Sequence, residues 1–375
     1  MSREPKAASA GDADSHSSRR EFLGRAAAAI AAGAVGAEIA SAPADAANTT
    51  TPTPRRPHKT PLAEVAGKVA FVTGGSSGIG LGLVRAFNAA GMKVAFTYLH
   101  ADHRDEAFSF FKEDRPDVHA IRLDVTDRDA MARAADEVER VFGKVHLLCN
   151  NAGIGLRTPA SSATYKDWDW GLGVNLGGVV NGVATFVPRL RAHGEGAHIL
   201  TTASSASLNA GGKVGVYVTS KFAVMGLMES LREELEDENI GVSVFCPGLV
   251  RSHIAESERN RPAELENEPP KTPQPPPSPA DLGAMQRYMA VAMDPLEAGE
   301  LVLHGIRRND LYILTHQEFE TVVRERAEAL LASFPVKPAP RERVEIVRTY
   351  TPDIYRRERD RLNAERPRGK RVRIC

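Results

Sequence analysis

The sequence predicts an α/β fold, in which a doubly wound parallel sheet forms the centre of a single domain. From about residue 62 onward, short apolar runs rich in Val, Ile, Leu and Phe alternate with longer amphipathic segments. Strands of a parallel sheet are buried on both faces, so they appear as continuous apolar runs. A glycine-rich stretch, TGGSSGIG at residues 73–80, separates the first apolar run from the first helical segment. These observations together favour a Rossmann-like sheet.

The predicted elements alternate between strand and helix along the chain. The strands are the short apolar runs at residues 68–72, 93–98, 119–123, 145–149, 197–202, 241–246 and 311–315. The helices carry apolar residues three and four positions apart. They cover residues 80–90, 106–113, 128–141, 165–193, 217–236, 282–293, 295–307 and 318–331. This order is the one that parallel strands with crossover helices require.

Composition excludes several classes of protein. Lys and Arg together number 48, as do Asp and Glu, so we expect no nucleic-acid partner. No apolar run reaches the roughly 18 residues of a spanning helix, so we expect no stable membrane span. The three cysteines, Cys149, Cys246 and Cys375, are too scattered for a disulfide framework or a zinc site. We expect no metal, and we expect the first two cysteines in the core.

The first sixty residues differ in character from the rest. Residues 18–23 read SRREFL, an Ala- and Gly-rich stretch follows, and ADA at residues 44–46 is a small-residue cleavage pattern. This order resembles a twin-arginine (Tat) export signal over residues 1–46, followed by a disordered Thr/Pro linker over residues 47–61. The resemblance implies the Tat export machinery as a partner and a periplasmic or otherwise exported location. The alternative is a disordered tail with a chance pair of arginines.

The glycine-rich loop predicts a dinucleotide site. A loop between a strand and a helix N-terminus presents backbone N–H groups to an anion, and the helix dipole adds partial positive charge. Glycines allow the tight turn and the close approach of the backbone to a pyrophosphate. The alternative is a structural turn with no ligand, which would not explain the polar motifs further along the chain.

These motifs resemble, in order, those of the short-chain dehydrogenases/reductases, whose loop has the same TGxxxGxG spacing. They are Asp124-Val125 after the third strand, Asn150-Asn151-Ala152-Gly153 after the fourth, Asn175 in the long helix, Ser204 after the fifth, Tyr217-x-x-x-Lys221, and Pro247-Gly248 after the sixth. The resemblance covers residues 66–252. It implies an enzyme with a nicotinamide cofactor, and a homo-dimer or homo-tetramer formed through the helices at 165–193 and 217–236.

The resemblance assigns the catalytic chemistry to Asn175, Ser204, Tyr217 and Lys221. Tyr217 and Lys221 lie four positions apart, so they face the same side of a helix. A free tyrosine has a pKa of about 10, and an ammonium favours the phenolate, so we expect Lys221 to lower the pKa of Tyr217. By resemblance, Asn175 holds a water beside Lys221.

The serine that would hold the substrate oxygen is identified by spacing. Ser204 lies thirteen residues before Tyr217, as in the family, although Ser205 and Ser207 offer the same hydroxyl nearby. A hydroxyl in this place stabilises charge that develops on the substrate oxygen.

The same resemblance places the cofactor against the loop and the strand ends. The binding residues are Thr73, Gly74, Ser76, Ser77, Gly78, Ile79, Gly80, Tyr98, Asp124, Val125, Asn151, Ala152, Gly153, Tyr217, Lys221, Pro247, Gly248, Val250 and Ser252. A carboxylate at the end of the second strand would bind the ribose of NAD, but Tyr98 stands there. His100, His103 or Arg104 could instead pair with the 2′-phosphate of NADP. Ser77 lacks the basic character common in NADP enzymes, so NADP is only slightly favoured over NAD.

The C-terminal third is expected to carry the substrate lid. The catalytic domain is assigned to residues 62–335, with a lid at residues 253–293 that includes a Pro-rich insertion. The lid helix would carry Tyr288 and Met289. Residues 336–375 form a charged extension that we expect to be solvated.

The expected substrate is a secondary alcohol or the corresponding ketone. The stretches YKDWDWGLGVNLGG and LYILTHQE also resemble bacterial Cα-dehydrogenases that oxidise benzylic alcohols of lignin-derived aryl ethers, which implies an apolar or aromatic alcohol. A non-catalytic redox sensor or scaffold of the same fold is the alternative. An epimerase or dehydratase of the extended relatives is disfavoured, because those proteins have the spacing TGxxGxxG.

Overall fold

Seven parallel strands form one sheet, and the computed structural model describes residues 58–111, 116–268 and 278–366. The strands are β1 (Val69–Val72), β2 (Lys93–Tyr98), β3 (Val118–Arg122), β4 (Leu147–Asn150), β5 (Ala197–Thr202), β6 (Ile240–Cys246) and β7 (Tyr312–Leu314). Their order in the sheet is β3-β2-β1-β4-β5-β6-β7. The direction of winding reverses between β1 and β4, which opens a crevice at the carboxyl ends of these strands. The predicted fold class is confirmed.

Helices cover both faces of the sheet. They are α1 (Gly78–Ala89), α2 (Ala101–Phe108), α3 (Arg128–Phe142), α4 (Tyr165–Leu172), α5 (Gly178–His193), α6 (Gly215–Leu235), α7 (Pro279–Val291), α8 (Pro295–Arg308), α9 (Glu320–Ala332), α10 (Arg341–Tyr350) and α11 (Ile354–Glu365). The predicted strands and helices are found with small shifts at their ends, apart from one helix. The helix predicted at 106–113 begins earlier, at Ala101, because His100 is extended and Asp102 places a carboxylate in the first turn.

Several predictions fall outside the described residues. These are the export signal at residues 1–46, most of the linker at 47–61, the Pro-rich stretch at 269–277 and the end of the charged extension at 367–375.

The sheet separates two hydrophobic cores. Alternate side chains of a strand point to opposite faces, so Phe71 faces the core under α3, α5 and α6, while Val72 faces the core under α1 and α8. The Phe71 ring lies 4.8 Å from the ring of Phe186, centre to centre. Cys149 and Cys246 are buried free thiols in these cores, as predicted.

The helix predicted at 165–193 is continuous, with a change of winding at its centre. Residues Gly173–Gly177 form a π-helical segment between α4 and α5. Within the described residues, Tyr165–His193 is the one helix long and apolar enough to cross a membrane, yet half of its most apolar stretch is buried inside the domain. Phe186 and Leu190 of α5 belong to the core. The apolar character of this helix therefore serves packing against the sheet.

Helices α1 and α8 approach so closely that glycine is required at the contact. A Cβ on Gly82 would lie 1.9 Å from the carbonyl oxygen of Pro295. A Cβ on Gly299 would lie 2.4 Å from the carbonyl oxygen of Gly82. Because both obstacles are backbone atoms, a side chain fits only if the two helices move apart.

We expect Gly82→Ala to lower the free energy of unfolding by about 2–3 kcal/mol, near the upper range of overpacking. Gly226→Ala is the matched control, because nothing lies within 4 Å of a Cβ at this exposed helical position. That control should raise the free energy of unfolding by about 0.5–1 kcal/mol. Urea titration measures both changes, and wild-type stability in Gly82→Ala would contradict the close contact.

Part of the C-terminal extension docks on the domain. The carboxylate of Glu358, on α11, is buried and accepts a hydrogen bond of 2.8 Å from the N–H of Leu311, just before β7. Arg361 pairs with Asp310 at 2.5 Å. The expectation that residues 336–375 are solvated is therefore wrong for α11, because a highly charged segment can dock through one buried carboxylate and a few partly buried ion pairs.

Candidate active site

The carboxyl ends of the central strands open onto two adjoining cavities. The first cavity, of about 440 Å³, extends from the loop after β1 to the ends of β2, β3 and β4. The second cavity, of about 670 Å³, shares Ser204 and Tyr217 with the first and extends past Tyr288 and Met289. Ligands of open parallel sheets bind at this edge, so the two cavities form the candidate site.

Almost all of the residues predicted for the site line the first cavity. They are Gly74, Ser76, Ser77, Gly78, Ile79, Gly80, Tyr98, Asp124, Val125, Asn151, Ala152, Gly153, Ser204, Tyr217, Lys221, Pro247, Gly248, Val250 and Ser252. Thr73 and Asn175 lie behind the cavity wall, 2% and 0% exposed. These two residues therefore act on the site through their neighbours.

Thr73 fixes the loop that follows β1. Its Oγ1 accepts hydrogen bonds from the N–H groups of Asn151 (2.9 Å) and Ala152 (3.0 Å). The amide nitrogen of Asn151 donates in return to the carbonyl oxygens of Thr73 (3.1 Å) and Gly74 (3.2 Å). The Asn151 amide oxygen accepts from Thr202 Oγ1 at 3.0 Å. These bonds hold the ends of β1, β4 and β5 together, so Thr73 is a positioning residue.

The start of α1 fits a pyrophosphate. Ser77, the N-cap residue, is extended and its side chain makes no capping hydrogen bond, which leaves the donor capacity of the first turn to an anion. A Cβ on Gly80 would lie 2.0 Å from the carbonyl oxygen of Gly74. Glycine is needed there because the loop folds back against the helix, which brings the backbone to the cavity surface.

The end of β2 carries no carboxylate. Tyr98 ends the strand, and the guanidinium of Arg104 lies 5.6 Å from the centre of its ring while pairing with Asp105 at 2.7 Å. The guanidinium of Arg104 therefore contacts Tyr98 and Asp105, and Arg104 does not line the first cavity. His100 and His103 line the first cavity, so two of the three residues predicted near a 2′-phosphate lie there.

The turn after β3 forms the opposite wall. Asp124 Oδ1 accepts hydrogen bonds from the N–H (2.9 Å) and the hydroxyl (2.8 Å) of Thr126. Asn181 of α5 donates to the carbonyl oxygen of Val125 at 2.8 Å. The turn is thus fixed to the long helix and offers both an apolar and a polar surface to a nucleotide base.

Tyr217 and Lys221 lie one turn apart on α6, as the spacing predicts. The Nζ atom of Lys221 donates to the carbonyl oxygen of Thr202 at 3.0 Å and lies 5.6 Å from the centre of the Tyr217 ring. Lys221 is 4% exposed. The ammonium is thereby fixed between the end of β5 and the tyrosine.

Burial governs the protonation of both groups. It lowers the pKa of Lys221 to about 8 and raises the pKa of Tyr217, while a hydrogen bond with Ser204 acts on the pKa of Tyr217 in the opposite direction. The expectation that Lys221 lowers the pKa of Tyr217 is therefore wrong for the protein alone. The cause is that desolvation of the phenol outweighs an ammonium that bonds to Thr202 instead.

Of the three neighbouring serines, Ser204 is the one that meets the tyrosine. Ser204 and Tyr217 both line both cavities, and Ser204 Oγ accepts from the N–H of Ala206 at 3.1 Å. Ser207 is buried and donates to the carbonyl oxygen of Ser204 at 2.6 Å. Ser205 lines only the second of the two cavities. The choice of Ser204 by spacing agrees with this geometry.

Asn175 joins the π-helical segment to the end of β4. Its Oδ1 accepts from the N–H of Ile154 at 2.8 Å, and its Nδ2 donates to the Ile154 carbonyl oxygen (3.0 Å) and to Ser220 Oγ (3.1 Å). Both amide hydrogens are used, so we expect any water beside Lys221 to be held by the main chain of the segment rather than by this side chain.

Sequence reasoning missed several residues of the first cavity. These are Asp169, Trp170, Thr202, Arg259, Asn260 and Glu264. Trp170 also belongs to a buried apolar cluster, and Thr202, Arg259, Asn260 and Glu264 belong to segments without a recognisable motif. Their spacing in the sequence carries no signal, because the chain brings them to the cavity from separate loops and helix ends.

Comparisons with known proteins agree with this arrangement. Residues 68–263 match the family model described as short chain dehydrogenase. The C alpha-dehydrogenase of Sphingobium sp. (strain NBRC 103272 / SYK-6) is 37% identical over 309 residues, which cover 80% of this chain and 96% of that protein.

Solved structures give the same result. A short chain dehydrogenase/reductase from Burkholderia phymatum, in complex with NAD, is 33% identical, with a TM-score of 0.65 over 74% of this chain and 99% of that one. The apo form of LigO from Sphingobium sp. strain SYK-6 is 37% identical, with a TM-score of 0.60 over 81% of this chain and 98% of that one. The chain therefore belongs to the short-chain dehydrogenase/reductase family, and it is an NAD(P)-dependent oxidoreductase that interconverts a secondary alcohol and a ketone.

Proposed function

We propose that Tyr217 exchanges the proton with an apolar or aromatic secondary alcohol, assisted by Ser204 and Lys221. The observation that carries this proposal is that Ser204 and Tyr217 both line both cavities, at the junction between them. A substrate in the second cavity would meet both hydroxyls there, next to a nucleotide in the first.

The chain's own residues handle the proton. In oxidation, Tyr217 accepts the proton of the alcohol hydroxyl, and Ser204 donates a hydrogen bond to the same oxygen. In reduction, Tyr217 returns the proton to that oxygen. The ammonium of Lys221, 5.6 Å from the centre of the Tyr217 ring, places positive charge near the oxygen from which the proton leaves in reduction. The nicotinamide, when bound, supplies the redox chemistry by taking or giving a hydride.

The lining of the second cavity supports an apolar substrate. Leu156, Val214, Leu249, Tyr288 and Met289 contribute to it. The similarity to a C alpha-dehydrogenase points to the same class, which we narrow to benzylic secondary alcohols. Substrate choice depends on such loop residues rather than on the fold.

A pair of alcohols tests this substrate class. We expect kcat/KM for 1-phenylethanol to exceed that for 2-butanol by at least about tenfold, because burying the ring contributes about 1.5–3 kcal/mol. Formation of reduced nucleotide, followed by absorbance, measures both values. Equal values for the two alcohols would contradict an aromatic site while leaving the dehydrogenase activity in place.

We also propose a slight preference for NADP over NAD. The absence of a carboxylate at Tyr98 supports this choice, together with His100 and His103 in the cavity wall. Competing titrations with NADPH and NADH measure the preference. Tighter binding of NADH than of NADPH would overturn this preference.

Two further proposals concern the cell and the assembly. The twin-arginine pattern supports export of the folded protein through the Tat machinery to the periplasm, with its nucleotide already bound. Nucleotide released on denaturing the periplasmic protein tests this proposal, and an empty protein or a cytoplasmic location would contradict it.

We propose that the chain forms a homo-dimer or homo-tetramer through the helices at residues 165–193 and 215–235. Analytical ultracentrifugation, which measures the mass of the assembly, tests this, and a monomer would contradict it.

A further inference from the structure

The second cavity has an arginine, Arg157, whose charge the proton chemistry described above does not use. Arg157 follows β4, is exposed, and lines the second cavity together with Ser204 and Tyr217. It does not line the first cavity, which extends along the loop after β1 and the ends of β2, β3 and β4. Arg157 therefore lies on the substrate side of the site.

The backbone around Arg157 is fixed on both sides. Just before it, the side chain of Leu156 is 1% exposed and packs in a buried apolar cluster. Just after it, the chain lies against the start of α6, where a Cβ on Gly215 would lie 2.5 Å from the backbone nitrogen of Ala160. The segment is therefore held against the helix that carries Tyr217, and this keeps the arginine at the cavity wall.

Charged groups on one side of the second cavity have partners of opposite charge. Arg251 pairs with Asp294. The carboxylate of Glu256 lies 3.3 Å from Nδ1 of His253 and 3.2 Å from a guanidinium nitrogen of Arg259. These carboxylates are therefore already occupied by cations other than Arg157.

The remaining charged groups belong to α1 and α2, on another wall of the cavity. The guanidinium of Arg85 lies 4.8 Å from the centre of the Phe110 ring, and Glu106 lies on α2, four positions before that ring. Among the described residues, Arg157 has no ion-pair partner. A guanidinium presents its N–H donors in a planar fork that matches a carboxylate, so this wall of the cavity is suited to an anion.

We propose that Arg157 binds a carboxylate of the substrate, and that the site takes benzylic secondary alcohols with a carboxylate on the ring. This inference rests on the proposed function and names the polar end of its substrate. The apolar lining would pack against the ring, the alcohol oxygen would lie at Ser204 and Tyr217, and the carboxylate would accept hydrogen bonds from Arg157. A cavity of about 670 Å³ has room for a ring with a polar group at each end.

The pair would act on binding rather than on the chemical step. The carboxylate keeps its charge while the alcohol is oxidised, so Arg157 would stabilise the bound substrate and the transition state equally. Binding of this uniform kind changes KM and leaves kcat unchanged. Loss of the arginine should therefore separate the two constants, whereas loss of Tyr217 lowers kcat.

The experiment compares 4-(1-hydroxyethyl)benzoate with 1-phenylethanol as substrates of the full chain at saturating NADP or NAD. In the wild type we expect kcat/KM for the carboxylate to be higher by at least about tenfold, the effect of one charged hydrogen bond. Arg157→Met should abolish this preference by raising KM for the carboxylate about tenfold, with kcat and the constants for 1-phenylethanol unchanged. Arg157→Lys should keep part of the preference, because the charge remains and the planar fork is lost.

Lys213→Met is the matched control. Lys213 is an exposed cation next to Val214, which lines the second cavity, but Lys213 itself lines neither cavity. Removing its charge should therefore leave the preference for the carboxylate unchanged.

Equal kcat/KM for the two alcohols in the wild type, or a preference that survives in Arg157→Met, would overturn the role of Arg157. Weaker nucleotide binding in Arg157→Met, with equal losses for both alcohols, would assign the arginine to the cofactor and would also overturn it. Oxidation of neither alcohol by the wild type would overturn the benzylic substrate class on which the inference rests. That failure is distinguishable, because it appears before any variant is compared.

Discussion

Tyr217→Phe should lower kcat by about 10²–10⁴-fold, the usual contribution of a positioned proton donor or acceptor. The substitution keeps the ring beside Lys221 and removes only the hydroxyl. Nucleotide binding should stay close to that of the wild type, because the loop after β1 and the start of α1 are untouched. Steady-state kinetics together with nucleotide titration measure the two quantities separately.

Tyr165→Phe provides the matched control for this loss. Tyr165 lies at the start of α4 and is 89% exposed, so removing its hydroxyl should change neither kcat nor nucleotide binding. Retention of near wild-type kcat in Tyr217→Phe would show that another group carries the proton. If the wild type and both variants bind nucleotide but none of them oxidises an alcohol or reduces a ketone, the redox-sensor alternative would be favoured.

Lys221 should give the second large effect. Lys221→Met keeps the apolar stem and removes the ammonium, and a charged hydrogen-bond donor contributes about 1.5–3 kcal/mol. Since Lys221 serves both the tyrosine and the cofactor side of the site, we expect kcat/KM to fall about 100-fold. The variant should remain folded, because within the described residues Nζ donates a hydrogen bond to one acceptor, the Thr202 carbonyl oxygen.

The pH dependence of ketone reduction tests the same lysine. Burial lowers the pKa of Lys221 to about 8, so the ammonium is present below this pH and is lost above it. Reduction needs both the ammonium and a protonated Tyr217, so kcat/KM should be constant below about pH 8 and fall toward tenfold per pH unit above it. A profile that stays flat up to pH 9.5 would contradict the role of Lys221.

The sheet and its motifs were predictable because their signals are local. A run such as KVAFV is apolar along its whole length, and YxxxK places two side chains on one helical face by spacing alone. The start of α2 was misplaced, since the segment after Tyr98 has little amphipathic character and the cap at His100 decides where the helix begins. Local patterns therefore give the elements and the placement of Tyr217 and Lys221.

The pairing of Arg261 with Asp167 and the docking of α11 had no comparable signal. Arg261 meets Asp167, 94 residues earlier in the chain, and Glu358 meets Leu311, 47 residues earlier. Charged residues in such segments look like solvated surface until the fold supplies their partners. The pKa of Tyr217 was misjudged for a related reason, because its burial depends on the packed site rather than on the distance to Lys221 along the helix.

The most direct test of the account uses a benzylic secondary alcohol with deuterium on the carbinol carbon. The wild-type chain is incubated with this alcohol and NADP or NAD, and the reduced nucleotide is analysed by mass spectrometry. We predict one deuterium in each reduced nucleotide formed by the wild type, and about 10²–10⁴-fold slower formation of the same product by Tyr217→Phe. Reduced nucleotide without deuterium, or equal rates in the two proteins, would contradict hydride transfer at this site.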